Sequence, residues 1–273
     1  MIYSKSKPLL YFEEVAGKSL HWYCGDDSEN YVTHNKPNWK YYATADKLDY
    51  TFNSLGYRTK ELNKLDNDYI LVFGCSYTEG VGLFESELWC NILGKDLNID
   101  IVNLAKAGTG PDIININTQL FVKNKFVKPR AVVIQWPQTS RKSFGYIERE
   151  GLFKKAIRLE DRNIQWDNVL NEPADNYEML DSQWYFKRWA LEDGQMLFEN
   201  SLHINSVNNL WNALGVPVFH WTFQGDYVTS YDKDIFAKIN LKNEDRARDN
   251  AHDGPLIHQE VVDKIRDNVR CMI

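Results

Sequence analysis

Four apolar runs decide what this chain can fold into. They read YILVFG from Tyr69, IDIVNLA at 99–105, AVVIQW at 131–136 and VPVFHWTF at 216–223. The first is continuous rather than alternating, the signature of a strand covered on both faces. Stretches with helical spacing lie between and after the runs, around Glu85–Leu97, from Pro111 to about Phe126, near Gln195–Leu214 and over about Pro255–Val269. Apolar strands alternating with helices imply an α/β fold, a parallel sheet with helices on both faces. In such sheets ligands gather at the carboxyl ends of the strands. The segments to inspect are therefore Gly74–Gly82, Ala105–Gly110, Gln135–Arg141 and whatever follows the fourth strand.

The rest of the chain hangs on this frame. Residues 1–66 are aromatic and polar, punctuated by Asn, Asp, Gly and Pro. That texture predicts an N-terminal extension of short strands and turns packed on a main domain at 67–273. A tryptophan-rich insertion at about 141–194 follows the third strand. No internal repeat or low-complexity segment is visible.

Composition removes several function classes. With 32 basic against 38 acidic residues the formal charge is −6, and nothing resembles the concentrated basic face that nucleic-acid binding needs. The densest basic patch, Lys123, Lys125, Lys128 and Arg130, falls at an expected helix end, where positive charge complements the helix dipole. Cys24, Cys75, Cys90 and Cys271 are scattered without CxxC spacing. This fits neither a zinc site nor a redox pair, and suggests a reducing compartment at synthesis. The first residues lack the apolar stretch of a signal peptide, and no run reaches the length of a membrane span. The expectation is a soluble protein, cytoplasmic at synthesis, with a virus particle left open and with no nucleic-acid or membrane partner.

Chemistry-bearing residues sit at the strand tips. Ser76 follows the first strand among Gly74, Gly80 and Gly82, small residues that permit a tight turn and an exposed hydroxyl. A phosphate-binding loop is excluded because no Gly-Lys-Ser/Thr follows, and GVGLFE lacks the third glycine of a dinucleotide fingerprint. A capping or turn serine is the plainer alternative. After the second strand, NLAKAGTGP places Gly108 and Gly110 at a turn. Such glycines serve the turn, or present an unobstructed backbone N–H to a developing oxyanion. Near the C-terminus, ARDNAHDGP sets Asp249 three residues before His252. That spacing lets the carboxylate fix the imidazole tautomer and stabilise the imidazolium. A metal site from Asp249, His252, Asp253 and His258 lacks a recognisable ligand spacing. His220, on the fourth strand, reads as a core histidine.

Taken in this order, GCSYTEG, NLAKAGTG and DNAH resemble the first, second and last blocks of the SGNH/GDSL hydrolase family. The resemblance covers about 68–140 and 195–270. It implies a flavodoxin-like three-layer sandwich and ester hydrolysis without metal or other cofactor. It also implies Ser76 as nucleophile, His252 as base and Asp249 as the residue orienting it. The backbone N–H groups of Ser76 and Gly108 are implied as oxyanion donors. Two departures stand out. Cys75 occupies the place of the family's Asp. The third block, VVIQWPQTSR, lacks the family's Gly-x-Asn, so Gln138 is the expected third oxyanion donor, with Gln135 less favoured because it can still lie on the strand. Losing one such donor costs about a hundred- to a thousandfold in rate.

The insertion supplies Tyr146, Trp166, Tyr177, Trp184, Tyr185 and Trp189 close to Trp136. Flat rings suit sugar faces, so Trp136 is a candidate substrate contact and an acylated, most simply acetylated, carbohydrate a candidate substrate. The lead-in YTFNSLGYRTKEL is similar to the segment before the serine block in some phage-encoded members. The expected activity is a serine esterase. Acyl transfer to a sugar, and a non-catalytic binding or virion-structural protein of the same fold, are the alternatives.

Overall fold

The computed structural model describes residues 7–34, 48–66, 68–137, 142–147, 153–159, 193–223, 236–242 and 244–273. Its elements in chain order are β1 (Ser19–Leu20), α1 (Ser28–His34), β2 (Tyr50–Thr51), β3 (Tyr69–Phe73), α2 (Ser76–Glu79), α3 (Trp89–Leu97) and β4 (Asp100–Asn103). There follow α4 (Pro111–Lys123), β5 (Ala131–Gln135), β6 (Lys142–Ile147), β7 (Phe153–Leu159), α5 (Asp193–Ala213), β8 (Val218–Thr222), β9 (Phe236–Lys238) and α6 (Pro255–Arg270).

The four apolar runs supply β3, β4, β5 and β8, which lie parallel in the order β4-β3-β5-β8-β9. Counted within the sheet, that is 2-1-3-4-5, the flavodoxin-like order, and its direction reverses between β3 and β5. The fifth strand, β9, was not apparent in the sequence, because three residues at a sheet edge leave no run to read. Between β5 and α5, β6 and β7 pair as an antiparallel hairpin.

Alternation across the strands sorts the core into two halves. Leu71, Phe73, Val132 and Ile134 pack with Ile113, Ile114 and Phe121 of α4 and Val207 and Trp211 of α5. Ile70, Val72, Ala131 and Val133 face Trp89 and Leu93 of α3 and Val261, Val262 and Ile265 of α6. Each large aliphatic side chain buried in this way contributes about 1.5–3 kcal/mol. Both faces of the sheet are therefore covered, which is why β3 and β5 are apolar at every position but Gln135.

The described residues of the N-terminal segment share the main core. Leu9, Leu10, Phe12, Tyr50, Phe52, Leu55 and Tyr57 belong to the same buried cluster as Tyr69, Leu71 and Phe73. Tyr57 donates its hydroxyl to the Leu10 carbonyl at 2.9 Å and accepts from the Asn117 amide of α4, also at 2.9 Å. Pro111 and Pro255 occupy the first turns of α4 and α6, where a missing N–H costs nothing. Among the described residues, no helix is long and apolar enough to cross a membrane.

Candidate active site

The turn after β3 is built for close approach. Gly74 has no room for a side chain, since a Cβ would lie 2.3 Å from Thr78 Oγ1. Cys75 is the N-cap of α2 and Ser76 its first residue, so the Ser76 N–H is one of the helix donors without an intrahelical partner. Gly80, at φ +82, ends the turn in the left-handed region, its N–H returning to the Ser76 carbonyl at 2.9 Å. Ser76 is 6% exposed. Its hydroxyl makes no hydrogen bond to any described residue.

Three neighbours hold this turn. Gln135, at the tip of β5, accepts through Oε1 from the Cys75 N–H at 3.2 Å, the Cys75 thiol at 3.3 Å and the Thr78 hydroxyl at 3.1 Å. Its amide nitrogen donates to the Trp136 carbonyl at 2.9 Å. Gln135 thus braces the turn, with both ends of its amide in use. Asn103, at the tip of β4, donates to the Thr78 carbonyl at 2.8 Å. Arg58, from the N-terminal segment, donates to the carbonyls of Gly80 and Leu83 at 2.7 and 2.8 Å.

The segment after β4 is tied to the same turn by a buried ion pair. Glu79 Oε1 accepts from Lys106 Nζ at 2.8 Å, and Oε2 accepts from the Ala107 N–H at 2.6 Å. The Lys106 ammonium lies 4.5–4.9 Å from the ring centroids of Phe12, Tyr23 and Phe52 and donates to the Gly56 carbonyl. Gly108 follows at φ +66, a conformation that favours glycine. It is buried beside this brace.

The Asp249–His252 pair forms as the spacing predicts. His252 Nδ1 lies 2.5 Å from Asp249 Oδ2, while Asp249 Oδ1 accepts the backbone N–H of Ala251 at 3.1 Å and of His252 at 3.0 Å. Burial pushes the Asp249 carboxyl up, but the His252 hydrogen bond and charge with the two backbone donors outweigh it and hold it below the ordinary carboxylate value. With Nδ1 directed at a carboxylate, Nε2 is the nitrogen left to exchange a proton. The His252 side chain is 26% exposed, so it is reachable.

The loop carrying this pair is docked on the loop after Ser76. The Arg248 N–H donates to the Gly82 carbonyl at 2.9 Å. Gly82, at φ +78, is packed so closely that a Cβ would stand 3.1 Å from Asp249 Oδ1. Next to Ser76, Tyr77 stacks on His258 of α6 with ring centroids 4.2 Å apart. His258 accepts the Trp89 N–H through Nδ1 at 2.9 Å, and burial with the nearby His252 charge pulls its pKa down to about 3. That geometry commits His258 to the core rather than to a shared metal site with Asp249 and His252. Ser76 and His252 are brought to the same end of the sheet, and no hydrogen bond joins their side chains in this conformation.

Two expected site residues fall elsewhere. Gln138 and the insertion aromatics from Trp166 to Trp189 lie outside the described residues. Trp136 is corrected from a substrate contact to a core residue. It is 3% exposed, its indole N–H donates to His220 Nδ1 at 2.9 Å, and its ring stacks on His220. The apolar run AVVIQW carries the signal, since Trp136 directly follows β5, which is buried at every position. His220 is a core residue, its pKa pulled down to about 4 by burial. The sequence reading passes over the braces Glu79, Lys106 and Arg248, and Gln135 enters it only as a less favoured oxyanion donor, whereas both ends of its amide hold the turn. A charged residue inside an otherwise small or apolar strand-tip segment, as in YTEG and LAKAG, was the available signal.

No protein-family model matches the sequence, and no curated protein matches it. Among solved structures, the chain is similar to that of TesA, with 14% identity and a TM-score of 0.45 over 75% of this chain and 99% of that one. It is also similar to the psychrotrophic esterase EstA from Pseudoalteromonas sp., at 13% identity and a TM-score of 0.40 over 75% of this chain and 99% of that one. A carbohydrate esterase described as having divergent catalytic and non-catalytic binding functions aligns at 12% identity and a TM-score of 0.44, over 76% of this chain and 66% of that one. Alignments this distant carry no weight below, where the reading rests on side chains.

Proposed function

We propose that this chain is a serine ester hydrolase of the SGNH/GDSL type. The observation that carries the reading is the short Asp249–His252 hydrogen bond on a loop seated against the loop that follows Ser76. In this reading His252 Nε2 takes the Ser76 hydroxyl proton as the oxygen attacks an ester carbonyl, and Asp249 stabilises the resulting imidazolium. The carbonyl oxygen becomes an oxyanion facing the N–H groups of Ser76 and Gly108, with Gln138 the candidate third donor. Collapse expels the alcohol, which receives the proton from His252 and leaves an acyl-serine. Water, deprotonated by the same imidazole, then attacks the acyl-serine, and His252 returns that proton to the Ser76 oxygen as the carboxylic acid leaves.

The acyl group is proposed to be small, most simply acetyl, and the alcohol a carbohydrate, on the strength of the aromatic insertion close in sequence to the site. A non-catalytic binding protein of the same fold is the second reading, favoured by the missing Gly-x-Asn and the absent Ser76–His252 hydrogen bond. Catalytic hydrogen bonds are often long before substrate binds, so that geometry alone does not select it. A fluorophosphonate probe separates the two. Labelling of the folded protein that disappears in both Ser76→Ala and His252→Ala supports the hydrolase, whereas an unlabelled wild type supports the binding protein.

A further inference from the structure

Among the described residues, a buried polar cluster that takes no part in these steps joins the Ser76 turn to the Asp249–His252 loop. The Gly82 carbonyl accepts the Arg248 N–H at 2.9 Å. The Gly82 N–H donates to the Tyr50 hydroxyl at 2.7 Å, and that hydroxyl donates to Asp26 Oδ2. Asp26 closes the circuit by accepting from Arg248, with Nε 3.0 Å from both carboxylate oxygens and one terminal nitrogen 2.6 Å from Oδ2. Both side chains of the ion pair are fully buried. The guanidinium also donates to the His21 carbonyl at 2.6 Å and lies 4.1 Å from the Trp22 ring centroid. We propose that Asp26, Tyr50 and Arg248 are positioning residues that hold the Asp249–His252 loop in register with the Ser76 turn, making the N-terminal segment a working part of the site.

Several features favour positioning over a mere staple. A fully buried ion pair is weak evidence of net stabilisation, because desolvation offsets its attraction, yet it fixes geometry tightly. The planar fork of an arginine accepts few orientations once bound to a carboxylate. Arg248 is directly bonded to Asp249, so displacing its backbone displaces the carboxylate that orients His252. On the other side the ring grips Gly82, and the contact is too close to admit even a methyl group. The catalytic consequence rests on the ester-hydrolase reading, while the holding of the loop does not.

The test uses the full chain with Tyr50→Phe, Asp26→Asn and the double variant. It measures kcat and KM on p-nitrophenyl acetate together with amide hydrogen exchange. Misplacement of a catalytic group by about an ångström costs up to ~100-fold, so Asp26→Asn is expected to lose about 10- to 100-fold in kcat with KM unchanged. Tyr50→Phe, which deletes one oxygen and keeps the ring, is expected to lose roughly threefold to tenfold. The double variant should lose no more than about twofold beyond Asp26→Asn, since both act through one circuit. Exchange at Arg248, Ala251 and His252 should quicken while the amides of α3 keep their protection. Folded Tyr50→Phe with wild-type kcat and wild-type loop exchange overturns the proposal, as does a rise in KM alone or a uniform loss of protection. Should Asp26→Asn fail to fold, Tyr50→Phe decides. If the wild type turns over no ester, the hydrolase reading fails by itself. Loop exchange then still decides the ring: quickened exchange upholds it, unchanged exchange overturns it.

Discussion

Ser76 and His252 stand on supports of different kinds. The serine turn grows from the end of a fully covered strand and is braced by Gln135 at the tip of β5, by Asn103 at the tip of β4, by Lys106 just beyond β4 through Glu79, and by Arg58 of the N-terminal segment. The histidine sits on a loop between β9 and α6, half-open to solvent, and its fixed points are Gly82 and a buried arginine gripped by the N-terminal segment. One side takes most of its fixed points from neighbouring strand tips. The other is fixed by an ion pair between residues far apart in the chain, with 222 positions separating Asp26 and Arg248. In the hydrolase reading, the nucleophile at the strand tip is held mostly by the fold, whereas its base is held by a separate buried ion pair.

The sharpest way to break the comparison is to remove one member from each side. Losing the nucleophile or the base of such a unit each cost about as much as losing both, on the order of 10⁴-fold or more in kcat. Ser76→Ala and His252→Ala should therefore show equal residual rates on a short-chain nitrophenyl ester, and the double variant should be no slower. A His252→Ala protein retaining most of its activity would detach the C-terminal loop from the chemistry.

The supports themselves should fail differently. Glu79→Gln leaves Lys106 charged and buried with its carboxylate gone. Breaking such a pair costs roughly 3–5 kcal/mol, and the Phe12, Tyr23 and Phe52 rings around the ammonium favour the low end. Thermal unfolding should register this as a large drop in midpoint. On the base side, Tyr50→Phe deletes one oxygen and leaves the Asp26–Arg248 ion pair in place, so it should act chiefly on kcat, whereas Asp26→Asn breaks an equally buried pair and carries a stability loss of the same order. A midpoint drop in Tyr50→Phe as large as that of Glu79→Gln would erase the distinction.

This division also separates what the sequence discloses from what it conceals. The covered strands are legible because burial on both faces leaves an unbroken apolar run, as in Tyr69–Phe73 and Ala131–Ile134. Ser76, Gly108 and the Asp249–His252 pair are legible because each is local: a tight turn, a glycine at positive φ, two residues three apart. Gln135 was placed on the strand from its position in the run, but nothing in the run says that its amide turns to the serine loop. Trp136 shows the limit of position alone, since it directly follows the tip of β5 and yet its ring is buried against His220. Asp26 and Tyr50 are opaque, since a polar residue in an aromatic-rich segment gives no hint of a partner met only after the whole sheet has formed.

Histidines draw a second contrast, of intermediate size. His220 and His258 are buried, and burial pulls their pKa values to about 4 and about 3, below the ordinary 6.5. Between those limits the unfolded chain binds more protons than the folded one, so stability rises with pH there and falls on acidification. Each ring contributes at most about 1.4 kcal/mol per pH unit across its window. Asp249 is held below the ordinary carboxylate value, so its contribution persists through that range and is lost only at lower pH. Unfolding midpoints measured from pH 6.5 down to pH 4 should decline, and the decline should be shallower in His258→Asn, whose side-chain carbonyl can still accept the Trp89 N–H. A parallel decline would assign the acid sensitivity elsewhere.

The smallest effect tests the side-by-side pair at the strand tip. Cys75 and Ser76 are neighbours, and a thiol is the better intrinsic nucleophile, which makes Cys75 the rival to Ser76. Their placements differ. The Cys75 thiol is buried and points at Gln135 Oε1, 3.3 Å away, whereas the Ser76 hydroxyl has no partner among the described residues. Cys75 is the N-cap of α2 and Ser76 its first residue, and the bond to Gln135 holds the thiol on the β5 side of the turn. Cys75→Ala removes a weak hydrogen bond and a small buried group, a loss of about 1 kcal/mol. The Cys75 N–H to Gln135 is untouched by the change, so the turn should keep its shape and ester turnover should stay within about threefold of wild type. If instead Cys75→Ala abolishes turnover while Ser76→Ala spares it, the thiol is the nucleophile and the roles of the two residues are exchanged.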